Sequence, residues 1–223
     1  MSQIFYLKKN YFYYFLIAYC FLGIFLSLNV GITHDEHHDY FVGEINKKIF
    51  LNTFFFQNYE IESLEGLNLY YGSGFHFFSA PFEYIIKFFF DLDYIFPVFE
   101  PLLLKHPSVF IFFILSSIYF RKIIFLITKE KNYASICAIL YLSYPYLLGH
   151  SFFNIKDVPF LSIWLVCTFY IINIAKYYYN DKNIRNKHLA ILGFLSAYLL
   201  SIRISGILIF IEYFIFFIFT LNL

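Results

Sequence analysis

The chain has 223 residues, of which 61% are hydrophobic, 26% aromatic and only 14% charged, with net charge +1 and mean hydropathy +0.66. Soluble domains are about half apolar and about a quarter charged, so this composition points to a membrane protein and away from an ordinary soluble domain. The sign of the net charge is uninformative, and no nucleic-acid partner is expected. The apolar runs are continuous rather than alternating about every second residue, which argues against a β-barrel. Cys20, Cys137 and Cys167 all fall inside those runs and read as small packing side chains, not as a disulfide framework.

Met1–Asn10 carries Lys8 and Lys9, and Tyr11–Val30 then runs apolar for about the ~20 residues a span requires. No small-residue cleavage site follows, so this reads as a retained first transmembrane helix and not a signal peptide. A long outer loop, Gly31–His106, comes next and opens on the knot His34-Asp35-Glu36-His37-His38-Asp39. Within it, Phe75–Phe90 is apolar except for His76, Ser79, Glu83 and Lys87. Pro81 in its middle and the i,i+4 pair Glu83/Lys87 on one face predict a helix lying on the membrane surface rather than crossing.

The later spans are expected at Pro107–Ile127, Asn132–Leu148, Val158–Tyr178, His188–Ile202 and Gly206–Leu221. With Phe75–Phe90 on the surface, Lys8, Lys9, Arg121, Lys122, Lys129, Lys131, Lys176, Lys182, Arg185 and Lys187 fall in short inside segments, ten of the sixteen basic residues. That is the lysine and arginine bias that orients membrane proteins. The expected architecture is therefore all-α: a single polytopic transmembrane domain over residues 1–223, about six transmembrane helices with both termini inside, and residues 31–106 as the first outer loop. Six of the seven histidines and most of the acids then share the outer side.

Three elements on that side carry candidate chemistry. In Thr33–Tyr40, adjacent carboxylates at a membrane edge suit a general base, because burial and mutual repulsion raise one pKa. With the neighbouring histidines they also suit a divalent ion, for which His34, Asp35, His38 and Asp157 are the candidate ligands. A solvated acidic loop is the plainer alternative. The second element is Gly149-His150-Ser151-Phe152-Phe153-Asn154-Ile155-Lys156-Asp157-Val158-Pro159. Lys156 suits a counter-charge for a phosphate, with Asp157 as its orienting partner, and a simple helix-end pair is the alternative. The third is Arg203-Ile204-Ser205-Gly206, where a lone arginine between apolar runs must reach water or an anion, by snorkelling or by meeting a lipid phosphate.

In this order, the acidic pair after the first helix, Tyr70-Tyr71-Gly72, His150…Asn154-Ile155-Lys156-Asp157-Val158-Pro159 and Arg203…Gly206 resemble the amino-terminal half of phospholipid-carrier-dependent glycosyltransferases of the GT-C fold. These are the protein O-mannosyltransferases and aminoarabinose transferases of glycosyltransferase family 39 type. The resemblance runs from about Tyr11 to Leu221 and rests on order and sidedness, not on one motif. It implies an integral, multi-pass protein of the plasma (inner) membrane with its active face extracytoplasmic. There a sugar would pass from a polyprenyl-phosphate carrier to an acceptor protein or glycolipid. Asp35, with Glu36 beside it, would deprotonate the acceptor hydroxyl. Lys156, Arg203 and His150 would bind the lipid phosphate, and His38, Tyr71, Asn154 and Asp157 would line the donor and acceptor cavity. Phe75–Phe90 would correspond to the family's juxtamembrane helix and guide the prenyl tail.

Family members are about twice this length or more, so the chain is expected to be a truncated module. Two rivals stand beside this reading. A transporter would place ionisable groups near the bilayer midplane, where only Glu212 is expected, paired with a hydroxyl or protonated. An inactive membrane scaffold would keep the helix order without a cavity joining the three elements. Convergence of Asp35, Lys156 and Arg203 beside one cavity is the feature that discriminates.

Overall fold

Helix ends, more than helix middles, decide this architecture, because the polar residues cluster there. The computed structural model describes residues 11–61, 72–89, 100–179 and 186–221. In chain order its helices are α1 (Tyr11–Ser27), α2 (His34–Phe55), α3 (Gly74–Phe89), α4 (Glu100–Leu103), α5 (His106–Thr128), α6 (Lys131–Leu142), α7 (Pro145–His150), α8 (Asp157–Tyr179), α9 (Asn186–Ile202), a 3-10 turn at Ile204–Leu208, and α10 (Ile209–Leu221). The protein is all-helical, with no strand among the described residues.

α5 is the central post and packs on α1, α6 and α8, while α8 also packs on α9 and α10. The core between them holds Val109, Phe110, Phe113, Ala138, Leu142, Cys167 and Leu199. Small residues let these backbones approach. Ser116, Ser117, Ser162 and Ser196 are buried along the contacts and donate back to carbonyls three or four residues earlier, which satisfies their hydroxyls inside the helix. Gly23 of α1 faces the Phe110 ring so closely that a Cβ there would lie 1.9 Å from it.

α5 and α8, at 23 residues each, are long and apolar enough to cross a bilayer. α1, α9 and the stretch Ile204–Phe219 are shorter apolar helices. α1 and α9 match the expected Tyr11–Val30 and His188–Ile202 to within three residues, whereas two other expected spans are broken at identifiable residues. Asn132–Leu148 breaks after Leu142, because Pro145 lacks an N–H and forces Tyr144 into an extended conformation (ψ 116°). α6 is left with 12 residues, roughly 18 Å, against about 30 Å of hydrocarbon. Gly206–Leu221 likewise opens on a 3-10 turn before α10 begins.

The described part of the expected outer loop is largely helical. α2 begins inside the acidic knot, where Asp35 and Glu36 occupy its first turn and complement the unpaired N–H groups and the positive end of the dipole. α3 covers nearly the whole of Phe75–Phe90. Phe75 and Ser79 face inward while Tyr84 and Phe88 face outward, the one-sided pattern of an interfacial helix. Phe78 holds α3 against the bundle, with its ring 5.2 Å from Phe112 and 5.7 Å from Tyr198. Glu212, expected to meet a hydroxyl or to be protonated, accepts from the Trp164 indole N–H at 2.6 Å.

Candidate functional site

The starts of α2 and α8 and the link from α9 to the 3-10 turn enclose one cavity of about 680 Å³. Each brings one of the three polar elements. Thr33, His34, Asp35, Glu36, His38 and Asp39 come from α2, and His150, Phe153, Asn154, Lys156 and Asp157 from the approach to α8. Ile202, Arg203 and Ser205 come from the third element, and Gly72 completes the wall. Gly72 lies so near the end of α9 that a Cβ would stand 2.2 Å from the Ser201 carbonyl oxygen and 2.4 Å from that of Ile202. Glycine is required there by space. Tyr71 lies outside the described residues, as does Tyr70.

On α2, Asp35 is exposed in the first turn, and Asp39, one turn later on the same face, is buried. Asp39 forms an ion pair with the Lys156 ammonium. Burial pushes the Asp39 carboxyl above the usual aspartate range, while the hydrogen bond and charge of Lys156 pull it back and Asp35 pushes it further up. Asp39 belongs with the site, although the sequence reading passed over it. The i,i+4 spacing from Asp35 is the signal that would have found it once the knot is taken as helix rather than loop.

Glu36, expected beside Asp35 as a second reactive carboxylate, is committed elsewhere. Thr33 donates to its Oε1 from both the backbone N–H (2.7 Å) and the hydroxyl (2.9 Å), and its Oε2 meets His106 Nε2 at 2.6 Å. The other imidazole nitrogen, Nδ1, lies 3.0 Å from the Ser27 carbonyl oxygen. A carbonyl only accepts, so Nδ1 carries the hydrogen and the Nε2–Glu36 contact holds one proton. His106 thus ties the end of α1 and the starts of α2 and α5 together. Beside it, Lys105 donates to Glu83 Oε1 of α3 at 2.5 Å, and Ser79 donates to the same oxygen at 2.6 Å.

Asn154 builds the second element. Its Oδ1 accepts from the backbone N–H groups of Lys156 (3.2 Å) and Asp157 (2.7 Å), capping the start of α8. This fixes the amide orientation, so Nδ2 donates to Asp157 Oδ2 (3.1 Å) and to His150 Nδ1 (3.0 Å). His150 is seated on the Tyr146 ring, with centroids 4.4 Å apart. Asp157 in turn binds the Arg203 guanidinium, and both side chains remain largely exposed to the cavity. Arg203 has further N–H groups beyond that contact. His34 and His38 also line the wall.

The cavity therefore holds two cations, each seated on an acid, and the exposed carboxylate of Asp35. Among the described residues no group of three histidine, cysteine, aspartate or glutamate side chains has the spacing of a metal site, so the expected set His34, Asp35, His38 and Asp157 is not assembled as one. A second, apolar cleft of about 370 Å³ borders the first turn of α2 through His37 and is lined by Leu28, Val30, Ile32 and Leu103. No protein-family model, curated protein or solved structure matches the chain.

Proposed function

We propose that the protein is a membrane glycosyltransferase of GT-C type that moves a sugar from a polyprenyl-phosphate carrier to an acceptor hydroxyl on the extracytoplasmic side of the plasma membrane. The observation that carries this reading is the meeting of Asp35, Lys156 and Arg203, far apart in sequence, in a single cavity. The shorter apolar helices α1, α9 and α10 join α5 and α8 in the bilayer, the broken pair α6–α7 carries the chain back across beside α5, α3 lies on the surface, and the apolar cleft beside α2 receives the first isoprene units.

In the reaction, the Asp35 carboxylate takes the proton of the acceptor hydroxyl. The acceptor oxygen bonds to the anomeric carbon, the bond from that carbon to the phosphate oxygen breaks, and the lipid phosphate departs. Negative charge grows on the departing phosphate, so fixed cations lower the barrier. Arg203 and Lys156 supply that charge, and Asp157 and Asp39 aim them. Losing one such donor costs roughly 10²–10³ in rate. His150, whose Nδ1 accepts from Asn154, offers Nε2–H as a neutral donor to the sugar or phosphate. No step requires a metal ion.

The inactive-scaffold alternative is disfavoured by the cavity that joins the three elements. The transporter alternative rests on Glu212 alone, whose Oε2 accepts from the Trp164 indole N–H.

The test is transfer from a labelled polyprenyl-phosphate sugar by the full chain in membranes, compared with Asp35→Asn. Removing a general base slows such steps by about 10²–10⁴-fold. Equal transfer by both proteins removes Asp35 from the mechanism, and no transfer by either removes the transferase reading.

A further inference from the structure

His106 is a wholly buried imidazole bonded to two other helix ends, and the chemistry proposed above makes no use of it. Its location is informative. Only six residues separate the end of α1 from the start of α2, so the direction of α2's first turn depends on what holds that turn. The capping contacts of Thr33 on Glu36 Oε1 close the turn upon itself without tying it to the bundle. Among the hydrogen bonds and ion pairs of the described residues, the His106–Glu36 contact is the one that ties the Glu36 carboxylate to α5. Asp35 is adjacent to Glu36 and shares its turn.

We infer that His106 is a positioning residue: through Glu36 it sets the first turn of α2 and so aims the Asp35 carboxylate into the cavity. The effect on transfer rests on the transferase reading, whereas the effect on the turn does not. Histidine suits this role because its two nitrogens reach two partners on opposite sides of one rigid ring. Ser27 receives the Nδ1 hydrogen, and the proton on the Nε2 side is shared with Glu36. The pair stays neutral overall whichever partner holds that proton, so the buried site carries no uncompensated charge. A reactive group displaced by about 1 Å loses about 10²-fold in rate, so even a small rotation of this turn is costly.

The two nitrogens can be separated by substitution. In His106→Asn the amide stands near the place of Nδ1 and keeps the Ser27 bond but loses Glu36. In His106→Gln the amide stands near the place of Nε2 and keeps Glu36. Two measurements on the full chain in lipid apply. The first is hydrogen exchange of the Thr33 amide, whose N–H donates to Glu36. It is expected to quicken at least about tenfold in His106→Asn and to stay near wild type in His106→Gln. The second is sugar transfer, where His106→Asn is expected to lower kcat by about 10- to 100-fold with KM for the donor held within about twofold. His106→Gln should keep most of the rate. The double variant H106N/E36Q carries no buried charge, keeps the Thr33 cap, and should fold while still transferring slowly.

Equal Thr33 exchange in the Asn and Gln variants would overturn the inference, even if the wild type transfers nothing. Full transfer by H106N/E36Q would overturn it too, by reducing His106 to charge balance. Fast Thr33 exchange in His106→Asn alone, with no transfer by wild type, would uphold the positioning role and reject the transferase reading.

Discussion

Replacing Lys156 by methionine removes the cation but keeps much of the stem, and leaves Asp39 buried with its charge unmatched. Asp39 is only 6% exposed and Lys156 about a fifth exposed, so the two sides of the pair respond differently. Breaking such a pair from the lysine side costs about 3 kcal/mol, because the stranded carboxylate cannot reach water. Asp39→Asn should cost about 1 kcal/mol, since the lysine head can extend toward the open cavity. The double variant strands no charge and should also cost only about 1–2 kcal/mol, giving a coupling of roughly 2 kcal/mol.

The pH dependence has a definite sign. Asp39's folded pKa lies above the ordinary aspartate value, so its ionisation opposes folding as pH rises through that folded pKa. Loss of Lys156 removes the contribution that pulls the pKa down, so the folded pKa rises further. The cost of Lys156→Met must therefore shrink as pH falls from 7 toward 5. The assay is denaturant unfolding in micelles followed by the fluorescence of Trp164, the sole tryptophan, packed on Phe160 and bonded to Glu212. Strictly additive costs, or a Lys156→Met penalty that grows on acidification, would refute the reasoning.

Three further outcomes are expected. Asn154→Ala removes the cap of α8 and should lower stability by about 1 kcal/mol in the same unfolding assay, while weakening transfer by releasing Asp157 and His150. Gly72→Ala forces a Cβ against two carbonyl oxygens of α9 and should destabilise by about 1–3 kcal/mol, read as a lowered thermal midpoint. His76 packs so tightly on Gly43 that a Cβ on that glycine would lie 2.7 Å from its ring, and its pKa is pushed down to about 3 by burial and then by Lys105 and Lys156. The unfolded chain takes up a proton that the folded one refuses, so stability is lost as pH falls below the ordinary value of 6.5. His76→Asn should flatten the decline between pH 6.5 and 4.5 by on the order of 1 kcal/mol per unit, and an unchanged slope would count against the buried neutral ring.

α5 and α8 were readable because each is 23 residues long and mostly apolar, with its few charges near the ends, and their observed ends lie within a residue of the expected Pro107–Ile127 and Val158–Tyr178. α2 was not, because its apolar content is low and its buried face opens on the acids Glu36 and Asp39 before Val42, Gly43 and Ile45. Its cap, Thr33 on Glu36, is local, but the contacts that bury the helix, Glu36–His106 and Asp39–Lys156, reach residues dozens of positions away, and such partners leave no local trace. For the same reason the roles of Asp39, Glu36 and His106 emerge only in three dimensions. Grouping Asp35, Lys156 and Arg203, by contrast, needed only their places next to apolar runs, because charge is expelled to helix ends.

The proposed transferase requires that the starts of α2 and α8 and the Arg203 link form one cavity opening to the outer face of the membrane. It is tested by replacing Cys20, Cys137 and Cys167 with alanine, placing single cysteines at Asp35, His150 and Ser205, and treating intact cells with a membrane-impermeant maleimide. All three positions are expected to react from outside. Reaction at position 35 from outside, with 150 or 205 reached only after permeabilisation, would contradict it.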